Sequence, residues 1–419
     1  MKTRFLVLSL FSLLTLTNIT YSQGEAAVPF LLLQPSPSLA AMGQTGTALP
    51  TEDPFGFLWN PAQLGYTSQN NNFSFIFYPS KLEWWPKTNL DLEIKSVAFN
   101  LGYNFKDIIN FPLSVGFGYS YFELNFGEFL RTDETDLTPL GSFYSMDYYN
   151  AYSVGVGIDY YVQLNAGITY KSITSILSDY PYQGEQIGGK AKPNVVDFGL
   201  LLNIPILKLI DDNLYIPIEN NLRLKLDFNF SIGYSKSNIG DEVYYIDQAQ
   251  ADPLPRTDRI GYGFSTGFDL LGDNFQMDVL NFSLTVEADD ILITRDSTGW
   301  DYQSTLSDLQ LVKNLINVEG TEDIVSHIGL KIDLFETVSF STGHFSGRGF
   351  MDVAETGGYE LRAKGIFKLW TLWAKDPFTD FLRDHIDIRY YNTNYFDGDW
   401  RETKMTGLAL YVHNINSLF

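Results

Sequence analysis

The stretch LRLKLDFNFSIGY, residues 222–234, sorts its side chains into two rows. Leu222, Leu224, Leu226, Phe228, Phe230, Ile232 and Tyr234 fall on one side; Arg223, Lys225, Asp227, Asn229, Ser231 and Gly233 fall on the other. Such strict alternation is the mark of a β-strand, because successive side chains of an extended chain point to opposite faces. The apolar row suits lipid or a core. The charged row must be wetted or paired.

The same alternation recurs along the chain. Val97, Phe99, Leu101, Tyr103 and Phe105 alternate with small or polar residues, as do Val115, Phe117, Tyr119 and Tyr121, and Tyr152, Val154, Val156, Ile158 and Tyr160. Tyr262, Phe264 and Phe268 oppose Gly263, Ser265, Gly267 and Asp269, and Leu361, Ala363, Phe367 and Leu369 oppose Arg362, Lys364 and Lys368. The pattern predicts about fourteen strands of roughly 8–14 residues, an even number in the range of transmembrane barrels. They fall near 72–78, 95–105, 112–122, 149–160, 163–174, 193–203, 221–235, 260–270, 276–289, 325–334, 337–344, 358–371, 384–396 and 404–415.

The connections carry a second signal. Those after odd-numbered strands are mostly long (79–94, 123–148, 175–192, 236–259, 290–324, 345–357), and those after even-numbered strands are mostly short. Outer-membrane barrels have long external loops and short periplasmic turns, so this parity predicts that both termini are periplasmic. Two even connections, 204–220 and 372–383, are longer and have room for short helices.

The first residues read as an export signal. Lys2 and Arg4 precede the apolar run Phe5–Leu16, and Thr20, Tyr21 and Ser22 offer a cleavage site before Gln23. The run is too short for a membrane-spanning helix, which needs roughly 20 apolar residues, and no later segment is longer. The expected organisation is a signal peptide over 1–22, an N-terminal segment over 23–70 and a barrel over 71–419. A soluble β-sandwich also alternates, but the export signal, the loop parity and the strand number favour an all-β transmembrane antiparallel barrel in a bacterial outer membrane, in contact with its lipid.

Composition removes several classes of function. The chain has no cysteine, which excludes disulfides, thiol catalysis and cysteine-ligated metals. Its net charge of −22 opposes nucleic-acid binding, which needs cations against phosphates. Aromatic residues make up 16%, dominated by Tyr and Phe, as suits strands with interfacial girdles. Trp84, Trp85, Trp370, Trp373 and Trp400 fall at strand or loop margins where such girdles belong.

Few motifs carry chemistry. Gly263–Gly267 spells G-x-S-x-G, but a nucleophile elbow needs a strand-to-helix turn, and this copy lies inside an alternating strand. Asp133, Glu134 and Asp136 cluster in a loop without the spacing of a defined calcium site. No cofactor motif is present, and an enzyme is the least supported class. On the face expected to line the lumen lie Arg223, Lys225, Asp227, Lys331, Asp333, Arg362, Lys364, Asp387 and Arg389, with Lys171, Asp197 and Glu287. Charges of both signs are interspersed, which favours paired ladders over a selective pore. The chain ends on Phe419, like the terminal aromatic by which outer-membrane barrels are recognised for assembly.

The segment Ala27–Tyr66, AVPFLLLQPSPSLAAMGQTGTALPTEDPFGFLWNPAQLGY, resembles the opening of the PorV/PorQ family of outer-membrane proteins. The resemblance rests on Pro29, Phe30 and Leu31 in the first apolar run, Met42 and Gly43, then Gly46 and Asp53, and finally Trp59, Asn60 and Pro61. It implies a fourteen-stranded barrel similar to the FadL fatty-acid transporters. It also implies, on the PorV side, a role in type IX secretion, binding exported proteins and passing them to surface attachment machinery. The alternative is passive transport of hydrophobic small molecules. The physical reading of the segment is a plug or hatch that buries Phe30, Leu31, Leu32, Phe55, Phe57 and Trp59 in or under the barrel.

Overall fold

Each strand of the computed structural model is hydrogen-bonded to its neighbours in sequence, and the last returns to the first. The structure describes residues 26–417 apart from 87–91, 133–137, 139, 182–187, 212–214, 219–221, 273–274, 297–298, 349, 375 and 398–400. Within these, fourteen strands form the wall: β1 Phe73–Phe77, β2 Glu93–Asn104, β3 Leu113–Arg131, β4 Gly141–Asp159, β5 Gln163–Pro181, β6 Asn194–Pro205 and β7 Arg223–Gly240 make one half. The other half is β8 Thr257–Gly272, β9 Phe275–Ile291, β10 Ile324–Leu334, β11 Val338–Gly347, β12 Phe350–Arg362, β13 Ile386–Tyr395 and β14 Lys404–Val412. All pairings are antiparallel, and Phe75 of β1 sits opposite Phe99 on one side and Leu410 on the other, which closes the barrel.

The two rows of residues 222–234 become the two faces of the wall. Ile232, Phe282, Phe340 and Ile388 are exposed on the outside, while Ser231, Ser235 and Thr285 are buried inside. An apolar outer belt on a closed antiparallel barrel is the surface of a membrane-spanning barrel. No helix among the described residues is long and apolar enough to cross a membrane.

Several strands end elsewhere than the alternation predicts. β3 and β4 reach residues 131 and 141, so most of the expected loop 123–148 is an extended hairpin. A bulge between Asn125 and Gly127 shifts the register there and breaks the period of two. Likewise β11 and β12 meet around 348–349 rather than across 345–357, after an irregularity between Phe345 and Gly347. The expected strand 358–371 stops at Arg362, and Ala363–Trp370 is a helix. Helices also occupy Ile206–Ile210 and Pro377–His385, at the two connections with room for them.

Residues 26–72 run through the barrel from end to end. Ala27 donates its N–H to Pro253 in the 241–256 connection, while Ile415, beyond β14, donates to Asn71 just before β1. The first and last described residues therefore lie at opposite ends of the barrel. This corrects the expectation that both lie on one side: the segment spans the lumen before it joins the wall. The end holding connections 78–86, 241–256 and 301–323 is called the loop end below, and that holding 105–112, 160–162 and 335–337 the turn end.

Candidate functional site inside the barrel

At the loop end, Pro29–Leu32 forms a single 3-10 turn with Pro29 at its first position, where a missing N–H costs nothing. It drives Phe30 and Leu31 into the lumen, where both are buried. Phe30 packs on Phe122 at 6.1 Å and Tyr149 at 5.9 Å, and those two rings stack on each other at 5.4 Å. Trp84, against Tyr395 at 5.8 Å, extends this aromatic pocket. Trp84 is thus buried inside and not part of an interfacial girdle; Trp370 and Trp373 are exposed near the turn end, and Trp400 lies outside the described residues.

Farther down, the residues of the N-terminal motif are the points where segment and wall meet. Ser36 caps the helix Pro37–Ala41 by accepting the Leu39 N–H, and its hydroxyl donates to Asp53 at 2.6 Å. Asp53 also accepts the Phe55 N–H at 2.8 Å. Burial pushes the Asp53 carboxyl up to about 6, although both hydrogen bonds oppose the shift. Met42 packs on Gly329 and Gly343 of β10 and β11. Gly43 has φ +73°, and a Cβ there would stand 2.6 Å from the Ile328 carbonyl oxygen, so both conformation and space call for glycine.

The tightest grip follows. The Glu287 carboxylate of β9 accepts N–H groups from Gly46, Thr47 and Ala48 at 2.9–3.1 Å. Three successive amides converging on one carboxylate form an anion nest, and the charge strengthens each bond. Beside it, His327 Nδ1 donates to the Gly43 carbonyl at 2.8 Å. Trp59 lies under the Arg259 guanidinium, 4.0 Å from the ring centroid, and Arg259 pairs with Asp289 at 3.0 Å. Asn60 donates to the Thr47 carbonyl at 2.7 Å and to Leu200 of the wall at 3.0 Å. Pro61 presses on Gly167 and Gly199, where a side chain would overlap it.

On the opposite wall the predicted charges sort into two groups. Lys331, Asp333, Arg362, Asp387 and Arg389 form one network with Glu360: Lys331–Glu360 is 2.8 Å, Lys331–Asp333 3.3 Å and Arg389–Asp387 2.6 Å. Arg362 stands within 3.8 Å of Asp333, Glu360 and Asp387. Arg389 also reaches Glu52 of the segment at 2.6 Å and covers the Tyr411 ring at 4.0 Å. Burial pushes the Glu52 carboxyl up, but Arg389, His413, Lys364 and Arg362 outweigh it and hold the group well below its usual range. Glu52 and Glu360 escaped the sequence reading. Glu360 had a usable signal, being two residues from Arg362 on the same face; Glu52 had none, since nothing local tells which wall residue it meets.

Arg223, Lys225 and Asp227 are not in that network. Arg223 lies over the Tyr215 ring at 5.1 Å, and Asp227 accepts from Asn229 at 3.2 Å. Lys364 is on a helix rather than a wall strand, and its backbone N–H donates to Asp387 at 3.0 Å. Ser265 of the G-x-S-x-G stretch sits mid-strand in β8 and accepts from Asn229 at 3.4 Å, so it is part of the wall. Phe419 and the 133–136 acidic residues lie outside the described residues, and no group of residues suited to a metal ion occurs among those described.

Two cavities among the described residues lie beside these groups. One of about 390 Å³ lies between segment and wall, bordered by Asn203, Asn229, Ser283, Lys331, Arg362 and Glu52. The other, about 670 Å³, opens at the turn end and is bordered by Arg223, Phe275, Lys364, Lys368, Arg383 and His413, with Glu52 again. Glu52 and Lys364 border both, so the two meet at that pair. The loop half of the lumen thus holds the aromatic pocket, filled by the segment's own side chains, beside buried ion pairs such as Arg259–Asp289 and Lys171–Asp197, and the turn half is polar and partly open.

No protein-family model matches the chain, and no curated protein does. Among solved structures, the Pseudomonas putida toluene transporter TodX is similar over 90% of this chain and 97% of its own, at 12% identity and a TM-score of 0.37. The CymD monoaromatic hydrocarbon channel is similar over 90% and 95%, at 10% identity and a TM-score of 0.33. The outer membrane protein OprD from Pseudomonas aeruginosa covers 84% and 95%, at 11% identity and a TM-score of 0.27. These likenesses are distant; the closed ring of paired strands is what defines the fold.

Proposed function

We propose that this barrel is a passive outer-membrane channel for hydrophobic small molecules, with residues 26–72 as its hatch and the loop end facing outward. The aromatic pocket at the loop end carries the proposal: inside the wall, Phe122 and Tyr149 pack against the Phe30 ring, and Trp84 belongs to the same buried cluster. Aromatic walls around one removable apolar group suit a ligand of the same kind. The turn half is polar and ion-paired, so no apolar tube runs the length of the barrel. Passage then requires the segment to shift, and the ligand's gain on taking the place of Phe30 is the free energy available for it.

The test uses uptake of the hydrophobic probe N-phenyl-1-naphthylamine by cells with a lipopolysaccharide outer membrane. Cells producing the barrel should take it up faster than cells without it, and Phe30→Ala should raise the rate further. Equal rates in all three would overturn the proposal.

A second reading, cargo handling in type IX secretion, has one feature in its favour. Leu311, Val312 and Ile316 are exposed on the helical turn Leu311–Ile316 at the loop end, an apolar surface suited to a protein partner. Deleting the gene should then strand secreted proteins that bear the type IX signal; unchanged secretion would count against it.

A further inference from the structure

Between β12 and β13 the chain leaves the wall and folds into two short helices at the turn end, Ala363–Trp370 and Pro377–His385. The first is pressed against the rim. Gly365 is buried there; its N–H donates to the Glu336 carbonyl at 3.0 Å, and a Cβ would stand 2.1 Å from the Phe335 carbonyl oxygen. Lys364 and Lys368, four positions apart, share one side of this helix and border the turn-end cavity, where Lys368 meets Glu336 at 2.5 Å. Residues two positions apart on a helix point to nearly opposite sides. Ile366 and Trp370 therefore face away from the lumen, and both are exposed. The turn continues past Trp370, whose carbonyl accepts the Trp373 N–H at 3.1 Å and the Ala374 N–H at 3.0 Å. Trp373 thus joins the outer side, which carries no charge.

The second helix extends this surface. Asp376 caps it by accepting the Phe378 and Thr379 N–H groups at 3.1 Å each, and Arg383 pairs with Asp380 at 2.8 Å and Asp384 at 2.6 Å. Phe378 and Phe381 are left exposed. Trp373 is 79% exposed and Phe378 63%, so two of the largest apolar side chains have little protein around them. A contiguous apolar patch of this kind marks an interaction surface. Its neighbours say what covers it. Leu361, just before the first helix, and Ile388, just after the second, are exposed on the outer face of the wall. The patch is continuous with the belt that lipid already covers. Tryptophan on one side and lysine on the other is the make-up of a helix lying in a membrane interface.

We propose that the helices Ala363–Trp370 and Pro377–His385 form an interfacial foot. They lie in the plane of the membrane at the turn end, with Trp370, Trp373, Phe378 and Phe381 set among the headgroups and upper acyl chains of phospholipid in that leaflet. The first helix then stands between lipid and the mouth of the cavity, one side to each. The contact holds whichever end faces outward and whatever the loop-end pocket passes.

Fluorescence quenching in vesicles of dioleoylphosphatidylcholine tests this. The chain has no cysteine, so one fluorophore can be attached at Trp373→Cys or Phe378→Cys, with Ile232→Cys marking the belt and Gln248→Cys marking water. All four positions are exposed, so the packed interior is untouched. Phospholipid spin-labelled high on its acyl chain should quench positions 373 and 378 more than phospholipid labelled near the chain end. Aqueous iodide should quench them far less than position 248. Quenching by iodide as strong as at 248 would place the helices in water and overturn the proposal. Shielding from both lipid label and iodide would overturn it too, by assigning the face to protein, either a second barrel or another partner. Neither result bears on the uptake experiment with Phe30→Ala.

Discussion

Asp53 and His413 show how single buried groups tie this barrel to pH, in opposite directions. Asp53 is raised to about 6 in the fold, against about 4 in an unfolded chain. Between those values the folded protein holds the extra proton, so this contribution grows as pH falls through 6 and is lost as pH rises through it. His413 is lowered to about 4, so between its unfolded value near 6.5 and 4 the unfolded chain holds the extra proton, and this contribution is lost as pH falls through that window. Asp53→Asn should remove the first effect and leave the second. Urea unfolding in micelles at pH 5 and pH 7 is the measurement. Going from pH 7 to pH 5, the asparagine variant should lose more stability than the wild type, by roughly 1 kcal/mol. Equal pH slopes would show that Asp53 keeps its proton balance on folding. The sequence marked Asp53 as part of a motif but gave no reason for an acid there; the reason is Ser36, seventeen positions earlier, whose hydroxyl both caps a helix and donates to the carboxylate.

At the scale of elements, the wall strands were legible wherever the period of two ran unbroken, and were lost where a bulge or a helix interrupted it. Residues 363–370 show how a helix passed for a strand. Lys364 and Lys368 stand four apart, as do Ile366 and Trp370, which is a helical spacing. Four is also a multiple of two, so the same residues satisfy an alternation count. The side chains then settle it: Lys368 meets Glu336 from the inner face, while Ile366 and Trp370 are exposed. The small residues of the wall were read as alternation only, yet they have a second meaning. Gly155, Gly167, Gly199 and Gly233 lie where the segment presses on β4–β7, and the charged residues of β10–β13 face the cavities instead. Between these two sides, Glu287 holds residues 46–48. Glu287→Ala should speed hydrogen exchange of the Gly46, Thr47 and Ala48 amides by at least about tenfold, since each loses a bond to a charged acceptor. Exchange of the β2–β6 amides should stay as slow as before. Mass-spectrometric exchange on peptides covering 44–50 reads both; unchanged exchange at 46–48 would mean that the rest of the segment holds these amides without the nest.

For the whole molecule, the path of the chain makes a claim about sidedness that loop parity alone did not contain. Parity compares connections, and residues before β1 are not a connection, so the sequence offered no way to place Pro29. The structure puts it beside the 241–256 connection, a full barrel length from Asn71. If the loop end faces outward, the segment begins at the cell exterior and descends to the turn end before entering the wall. This has a clean readout because the chain contains no cysteine, so one introduced thiol is the only thiol. Pro29 is exposed at the loop end, and Lys208, on the helix Ile206–Ile210, is exposed at the turn end. Intact cells producing Pro29→Cys should react with a maleimide that cannot cross the outer membrane. Cells producing Lys208→Cys should react only after lysis. The reverse pattern would turn the barrel over in the membrane and place the aromatic pocket on the inner side, where a hydrophobic molecule arriving from outside would not meet it first. Labelling of neither position in intact cells, with Gln248→Cys of the 241–256 connection labelled, would mean that the loop end is outward but that residue 29 is not held there in the cell.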